Sequence, residues 1–142
     1  MNDRPNPEYL KAFFAADLPA SGLPGRFGIV TAYNPESRVS AAEVNERADS
    51  ELKGALVAAS LPHFRVTSGA PDGSHREPGY GIVVDSPEAV RAFSRSFFQE
   101  AFFWVEDGTV YLINTGGERR HRVATWTERR LSAPENFRLT SG

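Results

Sequence analysis

Residues 27–69 read FGIVTAYNPESRVSAAEVNERADSELKGALVAASLPHFRVTSG, and the alternation of pattern within them decides the fold. Phe27, Ile29 and Val30 form a largely continuous apolar run that predicts a central strand over about 27–33, covered on at least one face. The strand ends in Thr31, Tyr33 and Asn34 set against Pro35. These polar groups are either a stop signal or one wall of a site. Ser40 and Glu43 then have the spacing of a capping box, worth about 1 kcal/mol. Ala41, Val44, Ala48, Leu52, Ala55, Leu56 and Ala59 follow at helical spacing, with Glu43–Arg47 and Asp49–Lys53 set to pair at i, i+4 on the outer side. HFRVTSG, residues 63–69, returns the chain as a second strand.

One residue breaks the helix pattern. At about 100° per residue, Asn45 projects inside the apolar stripe, between Leu52 and Leu56. A buried amide left unpaired costs on the order of 1–3 kcal/mol, so Asn45 needs partners, and the nearest polar groups are those ending the first strand.

Outward from this unit, APDGSHREPG reads as a turn-rich loop and YGIVVD, residues 80–85, as a third strand. Ser86 and Pro87 are an N-cap and first-turn proline, and Ala89, Val90, Phe93 and Phe97 form the stripe of a second helix. AFFWVEDGTVYLIN predicts a hairpin turning at Asp107-Gly108, and a last strand runs through 123–127. On the N-terminal side, Pro7 and Glu8 open a short helix with Tyr9, Leu10, Phe13 and Phe14 on one side, followed by the linker PASGLPG. The expected organisation is a helical segment and linker over 1–26, a single domain over 27–130, and a loose tail over 131–142. The expected fold class is α+β: a split β-α-β sandwich of the ferredoxin-like kind with both helices on one sheet face, plus the N-terminal helix and an added C-terminal hairpin strand.

Composition supports one folded unit. The chain has 142 residues, 40% hydrophobic, with ten Phe and two Trp, enough for a single core. The absence of cysteine excludes disulfides, thiolate metal sites and a cysteine nucleophile. The acidic N-terminus has no basic-then-apolar leader and no window reaches the length of a membrane span, which makes the cytoplasm the default and a membrane partner unexpected. A net charge of -2 gives no general attraction to phosphate backbones. The exception is ERRHRVATWTERR near the C-terminus, which reads first as a solvated surface run.

In the expected topology the first strand lies between the third and fourth, antiparallel to both, so its end adjoins their beginnings. Thr31, Asn34 and Asn45 then gather with Glu77, His75 and Gln99 into one polar cluster, structural or ligand-binding. Glu77 is the candidate general acid or base if the protein is an enzyme. His75-x-Glu77 has the spacing of zinc deaminases but lacks the cysteine pair, and His63, His75 and His121 are too scattered for a ligand set, so neither metal nor cofactor is implied. GLPGRFG precedes a strand and is a turn, not a dinucleotide loop. Gly79-Tyr80-Gly81 resembles part of an RNA-recognition signature, but the basic first position is Pro78 and the second ring is Ile82. A nucleic-acid role, which the net charge disfavours, would use Tyr80 with Arg119, Arg120 and Arg122.

TAYNP at 31–35, Ser40-x-x-Glu43-x-Asn45, HREPGYGI from His75 and FFQEAFFWV from Phe97 together resemble a bacterial domain-of-unknown-function family, number 3293, over about residues 27–113. The resemblance implies no particular activity. Its recurring polar positions match Thr31, Asn34, Asn45, Glu77 and Gln99. The chain departs from the family pattern at Gly79, where a serine commonly follows Glu-Pro, and in its arginine-rich C-terminal extension. The resulting expectation is a small binding or interaction module whose polar pocket receives a small polar ligand or a protein partner, with an enzyme and a nucleic-acid binder as alternatives.

Overall fold

The structure, a computed structural model, describes residues 3–35 and 38–132. Among them the elements are a 3-10 turn (Tyr9–Lys11), β1 (Phe13–Ala16), β2 (Arg26–Thr31), α1 (Ala42–Ala58), β3 (His63–Gly69), β4 (Arg76–Ile82), α2 (Pro87–Ser96), β5 (Ala101–Glu106), β6 (Thr109–Asn114), β7 (His121–Thr125), α3 (Trp126–Arg129) and β8 (Arg130–Leu131). The fold is α+β. All eight strands join in one sheet of order β7-β6-β5-β2-β4-β3-β1-β8, in which β2 lies between β4 and β5 and is antiparallel to both.

The sheet is larger than the sequence suggests, and it curls. Strands spaced about 4.8 Å apart would put the outer edges of a flat eight-stranded sheet roughly 34 Å apart. Yet β7 leads through the single turn of α3 directly into β8 at the opposite edge, and five residue steps reach at most about 18 Å. The aromatic rings of the concave face confirm the closure: Phe14 on β1 and Phe103 on β5 belong to strands four steps apart, but their centroids are 4.9 Å from one another. Trp126 stacks on Phe14 at 5.5 Å and meets Phe27 edge-on at 5.6 Å. The result is a half-barrel.

Strand alternation divides the core into two layers. Phe14, Phe27, Ile29, Phe64, Val66, Phe103, Val105 and Leu112 fill the concave side. Val30, Tyr80, Ile82, Phe102 and Trp104 face the other way, against Leu52 and Leu56 of α1 and Val90 of α2. Both long helices thus cover the convex face. Arg65 on β3 fixes α1 there: it bonds both oxygens of Asp49, at 2.8 and 2.9 Å, with its guanidinium 4.3 Å above the Tyr80 ring. Asp49 is committed to Arg65, where the sequence suggests Lys53.

Several expectations require correction. The N-terminal helix over Tyr9–Phe14 is only a 3-10 turn, and Phe13–Ala16 is strand β1, paired with β3 and β8. Two adjacent phenylalanines suit a pleated, half-buried surface, and so short a run nucleates a helix poorly. Tyr9 and Leu10 still pack on the concave core. The Ser40–Glu43 capping box does not form: Ala41 is the N-cap, with no side-chain cap bond, and the Ser40 N–H donates to Asn34 Oδ1 at 3.0 Å. The capping box that does form is Thr125 with Glu128, at the start of α3. Strand β4 begins at Arg76, so Glu77 belongs to the strand and not to its loop exit. The expected strand over 123–127 is His121–Thr125, because Trp126 turns into α3. In α1 the buried line is Asn45, Leu52 and Leu56, with Val44 outside it. In α2 Ala89 is exposed, while Arg91 is drawn in to donate to the carbonyls of Asn114 and Thr115 at 2.9 and 2.7 Å. The predicted hairpin turn does form, with Asp107 and Gly108 both at positive φ. The loose tail expected over 131–142 lies, from residue 133 on, outside the described residues.

The N-terminal segment becomes a strap across the half-barrel. Asp3 accepts the N–H groups of Glu118 and Arg119 at 3.0 and 2.9 Å, and Asn114 Nδ2 bonds Asp3 Oδ1 at 3.0 Å. These bonds, that of Arg119 foremost, hold the Asp3 carboxyl below the usual carboxylate range. Farther along, Arg129 Nη1 donates to the carbonyls of Leu10 and Ala12 at 2.9 and 3.0 Å.

The helix layer on the convex face is seated directly on the sheet, since a Cβ at Gly28 would run into the Val90 side chain of α2. Gly28→Ala is therefore expected to force α2 away from β2 and lower stability by about 1–3 kcal/mol, read as a lower urea midpoint with unchanged slope. An unchanged midpoint would contradict this packing.

Candidate functional site

The end of β2 is organised by two amides. Asn34 takes up a left-handed backbone conformation (φ 48°), which asparagine tolerates better than other non-glycine residues. Its N–H donates to Asn45 Oδ1 at 2.9 Å, and Asn45 Nδ2 donates back to Asn34 Oδ1 at 3.0 Å. Asn45 is buried, at 6% exposure, and its Nδ2 also approaches the Ser40 carbonyl at 3.4 Å. The inward asparagine expected from helical spacing is thus paired with the strand end. This exchange holds the residue just beyond β2 to the first turn of α1.

From the amide pair the network crosses the sheet's end to its concave side. Asn34 Nδ2 donates to Glu77 Oε2 at 3.0 Å, and His75 Nε2 lies 3.2 Å from the same oxygen. Glu77 Oε1 accepts no hydrogen bond among the described residues. Thr31 Oγ1 donates to the Pro78 carbonyl at 2.9 Å and accepts the Tyr33 N–H at 3.0 Å. Gln99 Nε2 donates to the carbonyls of Tyr33 and Phe97 at 3.1 and 3.2 Å, tying the loop after α2 to the end of β2. All six expected residues therefore meet at one end of the sheet. They divide in two: Thr31 is satisfied by backbone groups and Asn34 and Asn45 by one another and their neighbours, whereas Glu77, His75 and Gln99 keep acceptor or donor capacity in reserve.

Beside this network lies a cavity of about 350 Å³ between the concave sheet and the strap. Thr31, Asn34, His75, Glu77 and Gln99 line its polar end, while Tyr9, Ala12, Ile29, Phe103 and Leu112 line its apolar part. The apolar residues and the strap were not recognisable as site residues from the sequence. Only the i, i+2 spacing of Ala12 and Phe14 hinted that this segment is pleated.

The nucleic-acid candidates do not converge. Tyr80 is buried, with Arg65 on its face and His63 against its edge, so it presents no free ring to a base. Arg119 bonds Asp3 through its backbone N–H, Arg120 lies 3.3 Å from Glu106, and Arg122 is exposed on β7. Among the described residues no group of three or more histidine or carboxylate side chains could hold a metal. No helix among them is long and apolar enough to cross a membrane.

Residues 30–102, just over half of the chain, match a family profile described as "Protein of unknown function (DUF3293)". The chain belongs to that family. No curated protein and no solved structure matches it. The matched span contains all six residues of the polar network.

The hydrogen bond that His75 Nε2 donates to Glu77 raises the His75 pKa above its ordinary value of about 6.5, outweighing the opposing effect of partial burial. A raised histidine pKa stabilises the fold below pH 6.5, and that contribution is lost as pH rises through the folded value. NMR titration of His75 should give a midpoint above that of free histidine, and Glu77→Gln should bring it down. A midpoint at or below the free value would show that the pair does not form.

Proposed function

We propose, for this member of the DUF3293 family, that it is a small-molecule-binding domain whose ligand occupies the cavity under the N-terminal strap. The observation that carries this reading is the joint character of that cavity: an apolar floor of Ile29, Phe103 and Leu112 meets polar side chains with unspent capacity at one end. Largely preformed apolar cavities of 300–1,000 Å³ with a few convergent polar groups are the usual form of a ligand site. At about 30 Å³ per water-sized group, the space holds roughly a dozen non-hydrogen atoms. In this reading Glu77 and Gln99 contact the ligand, His75 occupies one oxygen of Glu77, and Thr31, Asn34 and Asn45 hold the frame. The inner strands β5-β2-β4-β3 with α1 and α2 are read as a split β-α-β core, to which β1, β8 and the strap add the cavity's cover.

A thermal-shift panel of small amphipathic molecules spanning amines, alcohols and carboxylates tests the proposal, since a ligand preferring the native state raises Tm. At least one class should raise Tm and shift the resonances of Ile29, Phe103 and Leu112. Ala101→Leu, which adds bulk to the cavity wall, should abolish both effects while the protein stays folded. No shift with any class at millimolar concentration, or shifts that survive Ala101→Leu, would overturn it.

A further inference from the structure

The charges around the cavity narrow the class of ligand. Resting on the binding reading above, we propose that the occupant is an amphipathic amine, a monocation whose ammonium group meets Glu77 and Gln99 while its apolar body lies along Ile29, Phe103 and Leu112. Two carboxylates line the cavity, Glu77 and Glu8, and among the described residues no lysine or arginine does. The one basic group there is His75, which is tied to Glu77 Oε2 at 3.2 Å.

Glu77 is well placed for an ammonium. It is 9% exposed, so a charge beside it is poorly screened by water. Asn34 and His75 both act on Oε2, which leaves Oε1 as an acceptor with no partner among the described residues. Gln99 spends its Nε2 on two carbonyls, which orients the side chain and leaves Oε1 as a second acceptor. An ammonium carries three donors and no acceptor, matching this pair. An alcohol offers one donor, and a carboxylate offers none and would face the negative charge of Glu77, the more exposed Glu8 lying 3.7 Å from Lys11 Nζ.

Register sets the length of the occupant. Gly81 is level with Ile29, and Ile29 is level with Phe103, which is level with Leu112. Glu77 lies four residues from Gly81 along β4, roughly 13 Å at about 3.3 Å per residue. A flexible chain ending in a small ring spans that interval and fits the volume. A bare ammonium or a very short amine would reach only the polar end.

The test compares phenylbutylamine, phenylbutanol and phenylbutanoate, near-isosteric molecules of roughly a dozen non-hydrogen atoms, by calorimetry and by NMR of the full chain. The amine should bind at least tenfold more tightly than the other two. Glu77→Gln keeps an acceptor for Asn34 and should remove most of that preference, about tenfold in Kd, with the alcohol unaffected. Glu8→Gln, at an exposed position, should weaken the amine by two- to threefold and serves as the second variant if Glu77→Gln fails to fold. Equal binding of all three, or preference for the carboxylate, overturns the amine assignment and leaves the cavity reading intact. Binding by none of the three overturns the amine assignment, and the Ala101→Leu panel then decides the cavity reading by itself.

Discussion

The reciprocal amide exchange between Asn34 and Asn45 is the contact on which the rest of the site depends. It brings a helix on the convex face and a strand end on the sheet into one polar unit, with two direct bonds between the residues. With its own oxygen held by Asn45 and by the Ser40 N–H, the Asn34 side chain has its Nδ2 aimed at Glu77. A left-handed asparagine is accepted because the surrounding bonds over-determine it. The position of Glu77 at the cavity is thus fixed from the far side of the sheet.

Curvature supplies the other half of the site. A four-stranded sheet with two helices on one face would leave its second face open, but here β1, β8 and the turn of α3 bend that face into a trough. The strap spans the trough, secured at Asp3 on one side and by Arg129 on the other. Arginines that look in sequence like a binding surface are partly this fastening: Arg129 also covers the Phe13 ring at 5.3 Å. The same closure that shields the aromatic core leaves a space beside Glu77 that the side chains do not fill.

Much of this was legible in the residues. Asn45 is legible because a polar side chain at a buried helical position has to find partners, and that constraint is local. The placement of β2 between β4 and β5 followed from the order of elements. The N-terminal strand was not legible, since Tyr9, Leu10, Phe13 and Phe14 fit a helical stripe as well as a pleat, and only pairing with β3 and β8 decides between them. The Ser40–Glu43 motif misled because Asn34 took the Ser40 N–H that a capping box would use. The cavity floor was invisible for the same long-range reason: Ile29, Phe103 and Leu112 are ordinary core residues until the sheet curls around them.

The most direct test of the account is a double-mutant cycle on the amide pair, using Asn34→Gly, which keeps the positive φ accessible, Asn45→Ala and the double variant, each followed by urea unfolding. If the two amides act as one unit, Asn34→Gly removes the Oδ1 half of the exchange and keeps the backbone N–H half, Asn45→Ala removes both halves, and the double variant costs about 1–3 kcal/mol less than the sum of the singles. Losses that add to within about 0.5 kcal/mol would mean that the residues act independently. The claim that α1 positions Glu77 through Asn34 would then fail.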